Sequence, residues 1–186
     1  MGDKYGKNGQ SLIDKIGSVL LSKEQTVAVA ESVTSGCLQF EFSLAENARK
    51  FFEGGITTYT INQKTKHLNV DPVHALASNC VSEIVSSEMS RDVVKLFSTD
   101  WGIGVTGYAA PVPEKSIDEL YACYSIHFGD REVANGKIDV EKGEPAEVQR
   151  AITRAVLEEF LKALKKGAPG QSKGTSLKQK NLKATP

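Results

Sequence analysis

Apolar residues at 12, 13, 16, 19 and 20 fall at helical spacing, with Ser11 placed to cap the first turn. The run TVAVAES (26–32) is almost uninterruptedly apolar and reads as a buried strand. After TSG, Cys37, Leu38 and Phe40 suggest a second helix. GGITTYT (54–60) is β-branched, opens on glycines and reads as a second strand. From Asn62 the pattern turns helical again. Asp71-Pro72 starts a short helix with proline in the first turn, and Ser82 to Phe97 predicts a longer one. WGIGVTGYA (101–109) reads as a third strand ending in a Gly-rich turn. Residues 119–128 and 131–140 flank Gly129-Asp130 and predict a β-hairpin. Pro145 opens a helix to about Lys166, with Val148, Ile152, Val156, Phe160, Leu161 and Leu164 on one stripe.

Strands and helices alternate first and a hairpin comes late. The expected fold is three-layer α/β/α, with a mixed, mostly parallel sheet. The domain is expected over 10–166. Residues 1–9 read as a flexible N-terminus and 167–186 as a disordered, Lys-rich tail.

Composition narrows the function classes. Hydrophobic residues make up 40% and charged residues 25% of the 186, usage that supports a packed core. No apolar run reaches the roughly 20 residues that span a bilayer, and no signal peptide is expected. Four of the 23 basic residues lie in 167–186, leaving 19 against 23 acids elsewhere, a body near −4. That charge offers no basic face, so nucleic acid is not an expected partner. Cys37, Cys80 and Cys123 are odd in number and far apart, which points to reduced thiols in a cytoplasmic setting. His67, His74 and His127 lack metal-binding spacing, and no metal or cofactor is expected.

Three segments stand where strands end: Glu31 to Gly36, Thr58-Tyr59 running on to Lys64, and Thr106-Gly107 onward. Open α/β sheets gather ligands beyond the carboxyl ends of their strands. In the first segment, Ser32 sits at the turn, and the N–H groups of 33–36 face outward as donors for an oxyanion or phosphate. The plainer alternative is that Ser32, Thr34 or Ser35 caps the following helix. Lys64 is either a solvated surface charge or, if buried, a base with a lowered pKa. Tyr59 is either a half-buried core aromatic or a ring covering a ligand. Thr106-Gly107 is either a plain strand end or a close approach for a ligand.

The same segments carry a family resemblance. AESVTSG resembles AES-x-T-G-G, and FFEGGITTYTINQK resembles F-x-x-G-x-x-x-Y-(S)-x-x-x-K. The stretch from His67 to Ser90 resembles L-G-V-x-x-x-x-L-x-x-x-G-A-V-S-E-x-V-x-x-x-M. VTGYAAP is similar to [IL]-[ST]-G-I-A-G-P. In order and in register over about 11 to 165, they resemble the C-terminal domain of the CinA competence-damage family, whose members include nicotinamide-nucleotide amidases. The resemblance implies hydrolysis of the carboxamide of nicotinamide mononucleotide, or of a related small amide, to the acid and ammonia. It implies Ser32 as nucleophile and Lys64 as base. Donors around Thr34, Ser35 and Gly36 would hold the oxyanion, and Tyr59, Thr106 and Gly107 would line the substrate pocket. It also implies a small-molecule substrate, no membrane, no metal, no cofactor, and a homodimer or larger homo-oligomer.

The departures from the family pattern cluster on the side expected to face a phosphate. Ser35 stands for the first glycine of TGG, Val33 for the usual Cys and Ala110 for a glycine. The loop after Pro111 is short and carries Asp118 and Glu119, and Pro145 stands near a usual Arg, with Arg150 the nearest candidate. A non-catalytic domain binding a pyridine nucleotide or a protein partner is therefore the alternative expectation.

Overall fold

The computed structural model describes residues 11–167. The expectations for 1–9 and for the Lys-rich segment beyond Gly167 lie outside the described residues.

Five strands form one sheet: β1 Val27–Glu31, β2 Phe52–Thr57, β3 Trp101–Gly107, β4 Leu120–Phe128 and β5 Arg131–Val140. Their order is β2-β1-β3-β4-β5. β1 pairs in parallel with β2 and β3, whereas β3–β4 and β4–β5 are antiparallel. The mixed sheet and the late hairpin are as expected, with parallel and antiparallel pairings equal in number. Gly129, first in the two-residue turn, has φ 57°, a left-handed value suited to short hairpin turns.

Six helices cover both faces: α1 Leu12–Ser22, α2 Cys37–Ser43, α3 Ile61–Leu68, α4 Pro72–Ala77, α5 Glu83–Phe97 and α6 Pro145–Lys166. The caps follow the sequence closely. Ser11 accepts from Asp14 N, Asp71 from Val73 N and Ser82 from Val85 N. On one face α1, α2 and α6 bury Ile16, Leu20, Phe42, Val156 and Phe160 against the sheet. On the other, α3, α4 and α5 bury Leu68, Ala75, Val85, Met89 and Val93. β1 divides its side chains accordingly: Val27 and Val29 join the first core, Ala28 and Ala30 the second.

One element is displaced from its expected bounds, and α2 forms where expected. β2 occupies 52–57 rather than 54–60, because Thr60 serves as the N-cap position of α3 and the chain turns there. In α2 the buried residues are Leu38 and Phe42, while Phe40 faces outward. Phe42 stacks on Phe52 at 5.1 Å and meets Phe160 edge-on at 6.2 Å, which draws this face of the helix inward.

Close approach of α5 to β3 rests on glycine. A Cβ at Gly104 would lie 2.3 Å from Ser86 O and 2.6 Å from Ser90 N; one at Gly102 would lie 2.1 Å from Ser90 O. These neighbours are backbone atoms of a helix and do not rotate away. Gly104→Ala is expected to destabilise the fold by about 2 kcal/mol or more. Chemical denaturation checks this, and an unchanged midpoint would show that α5 gives way freely.

Candidate active site

The chain leaves β1 toward β2 and leaves the neighbouring β3 toward β4, in opposite directions along the sheet, which opens a crevice at their carboxyl ends. The flanking strands continue past it: Thr58 N donates to Glu31 O at 2.8 Å, and Ser32 N to Val105 O at 3.0 Å. The chain then turns through 32–36 into α2, with Ser35 at φ 52° and Gly36 at φ 102°.

Strand alternation assigns the next two side chains. Glu31 continues the Val27–Val29 side and meets the start of α2. Ser32 continues the Ala28–Ala30 side, where α3 packs. Lys64 arrives from that helix, on the face it shares with Ile61 and Leu68. Its side chain is among the largest buried in the protein, at 1% exposure; Ser32 is 7% exposed. Lys64 Nζ lies 2.8 Å from Ser32 Oγ and 2.7 Å from Thr58 O. Burial pulls the Lys64 pKa down to about 8, with Cys80 acting in the opposite direction.

Ser32 and Lys64 line a cleft of about 590 Å³. Tyr59, Thr106 and Gly107 also line it. Tyr59 is 71% exposed, so it is a rim residue and not a core aromatic. Thr106 is buried and donates its hydroxyl to Cys80 O at 2.7 Å, tying β3 to the segment after α4. A Cβ on Gly107 would meet Tyr121 O at 2.3 Å, so the strand end admits no side chain.

Thr34, Ser35 and Gly36 stand elsewhere than expected. None lines the cleft. The buried Glu31 carboxylate takes their donors: it accepts from Thr34 Oγ1 at 2.6 Å and from the N–H groups of Gly36, Leu38 and Gln39 at 2.9–3.0 Å. Ser35 N is spent on Ser32 O. Neither Ser32, Thr34 nor Ser35 caps α2; Glu31 does, from inside the strand. Among the described residues, the N–H groups of Val33 and Thr34 have no hydrogen-bond partner, and Val33 O is held by Gln149 Nε2 from α6 at 2.9 Å.

Against this geometry the sequence comparison is decisive: residues 9–164 match the model of the CinA C-terminal domain. The chain belongs to the CinA C-terminal domain family. A CinA-like protein from Trichodesmium erythraeum is 38% identical over 109 residues, covering 59% of this chain and 26% of that protein. One from Synechocystis is 32% identical over 142 residues, covering 69% and 34%. The chain thus spans about a quarter to a third of the length of these CinA-like relatives. Two crystal structures share the fold. A competence or damage-inducible protein from Enterobacter asburiae has a TM-score of 0.77 at 24% identity, over 82% of this chain and 96% of that one. Competence damage-inducible protein A from Klebsiella pneumoniae has 0.79 at 22%, over 84% and 97%. Among the described residues of this CinA domain, no helix is long and apolar enough to cross a membrane.

Glu31 is the site-building residue that motif reading passed over. Its signal was an acid closing an otherwise apolar strand, directly before a hydroxyl-rich turn. Glu31→Ala leaves three backbone donors and a hydroxyl without their acceptor, the hydroxyl and the Leu38 N–H fully buried, and is expected to cost about 3 kcal/mol. A loss under about 0.5 kcal/mol by denaturant titration would show that water or a neighbour replaces the carboxylate.

Proposed function

We propose that this domain is a serine amidohydrolase acting on the carboxamide of nicotinamide mononucleotide or a related small amide. The observation that carries the reading is the 2.8 Å contact between the buried Lys64 amine and the Ser32 hydroxyl at the floor of a cleft. A serine hydroxyl is a weak nucleophile until a base takes its proton, and a lysine is a base only when uncharged. Burial lowers the pKa to about 8, which leaves roughly a tenth of the amine neutral at pH 7.

In the proposed cycle, neutral Lys64 keeps one N–H on Thr58 O and accepts the Ser32 proton through its lone pair. Ser32 Oγ attacks the amide carbon. The resulting oxyanion is held by the unpartnered N–H of Val33, the cleft-lining residue next to Ser32, whose carbonyl Gln149 fixes. The Lys64 ammonium then gives its proton to the departing nitrogen, and ammonia leaves an ester on Ser32. Water, deprotonated by Lys64, cleaves that ester and releases the carboxylic acid. Tyr59, at the rim, is placed to cover an aromatic ring lying in the cleft.

Ser32→Ala and Lys64→Met are each expected to lower ammonia release by at least about a thousandfold. Lys64→Arg is expected to fail equally, since a guanidinium does not deprotonate. Ammonia release that persists in these variants refutes the assignment. Because the neutral amine is the active form, kcat/KM is expected to rise about tenfold per pH unit and to level off above pH 8. A profile flat from pH 6 to 9 would remove Lys64 from the role of base.

A further inference from the structure

Among the described residues, the cleft is lined by two lysines and by no aspartate or glutamate. One lysine is Lys64. The other, Lys115, stands exposed on a 3-10 turn, Pro113–Lys115, at the rim. Its ammonium donates to Asn79 Oδ1, and no carboxylate pairs with it among the described residues. The Asn79 amide in turn donates to the Tyr108 hydroxyl at 2.9 Å. Edge contact with Tyr121 at 5.4 Å steadies the Tyr108 ring.

Hydrogen-bond capacity in this trio is donor-rich. The Asn79 carbonyl oxygen accepts from Lys115, and the Tyr108 oxygen accepts from Asn79. What remains is four donors, two ammonium N–H groups, one amide N–H and the phenol O–H, against one spare lone pair on each of the two oxygens. A rim with surplus donors, one uncompensated positive charge and no acid is complementary to an oxyanion.

Other places for such a group are closed. The donors at the start of α2 are consumed by Glu31. Arg150 is exposed and lies outside the cleft lining, where Gln149 stands instead. Asp118 and Glu119 do not line the cleft either; Asp118 pairs with Lys142 at 2.6 Å. We infer that Lys115, Asn79 and Tyr108 form a subsite for a terminal phosphate monoester of the substrate, which rests on the amidohydrolase reading only for the identity of the group held at Ser32. Such a group carries close to two negative charges at neutral pH and offers three acceptor oxygens.

The test separates binding from turnover. Calorimetric titration of nicotinamide mononucleotide and of nicotinamide riboside into the full chain carrying Ser32→Ala reads affinity without hydrolysis. Adding Lys115→Met is expected to weaken mononucleotide binding at least tenfold, to shrink its salt dependence, and to lower the affinity ratio between the two ligands by the same factor. Lys115→Arg is expected to stay within about threefold. Equal weakening of both ligands, an unchanged ratio, or no mononucleotide binding at all overturns the subsite. Ammonia release by the chain with native Ser32 is read separately. If release is absent but the Lys115 effect is present, the hydrolase reading fails and the phosphate subsite stands.

Discussion

The structure is organised around one costly act, the burial of a lysine amine. Lys64 is 1% exposed, with a serine hydroxyl and a backbone carbonyl for company and no carboxylate beside it. A pKa brought from 10.5 to about 8 corresponds to about 3 kcal/mol of preference for the neutral amine. Stability lost this way must come from elsewhere in the fold. Tight packing of α5 on the β3 glycines and the Glu31 cap on α2 brace the elements on either side. The burial is also what makes the amine useful, because a solvated lysine at neutral pH has almost no lone pair to offer.

Much of the fold was legible because local and tertiary signals agreed. Ser11, Asp71 and Ser82 cap the helices they precede, and the stripe from Val148 to Leu164 is the buried face of α6. β2 was misplaced by two to three residues for a definable reason. Thr58, Tyr59 and Thr60 have strand-like side chains, yet Thr60 is the extended residue that precedes a helix, and an N-cap position shares its backbone region with strands. Phe40 illustrates the same limit: a seven-residue helix has too few turns for periodicity to say which aromatic faces in.

The candidate site was legible in its residues and less so in its donors. The parity of β1 puts Ser32 on the Ala28–Ala30 side, and Lys64 shares a helical face with Ile61 and Leu68, but that α3 packs on that same side came from the fold. Whether that lysine was dry depended on α4, α5 and the Cys80 segment closing around it, contacts made across long sequence separations. Of the donors first expected at 34–36, the Gly36 N–H and the Thr34 hydroxyl went to Glu31 and the Ser35 N–H to Ser32 O. A strand-end acid and a helix start five residues on are neighbours only because the turn between them adopts left-handed angles at Ser35 and Gly36.

An acid-free cleft meets two requirements together. A carboxylate about 4 Å from Lys64 at an effective dielectric near 20 would favour the ammonium by about 4 kcal/mol, enough to undo the lowered pKa. The same carboxylate would repel an anionic substrate. Yet the anion itself is a hazard, since a phosphate seated beside Lys64 would recharge the base in the way a carboxylate does. Placing the donors for it on an exposed loop resolves the conflict. In water, two unit charges about 10 Å apart interact by only about 0.4 kcal/mol, and salt screens them further. A solvated lysine such as Lys115 therefore suits the phosphate end, and a dry one such as Lys64 suits the amide end. Exchanging their environments would disable both.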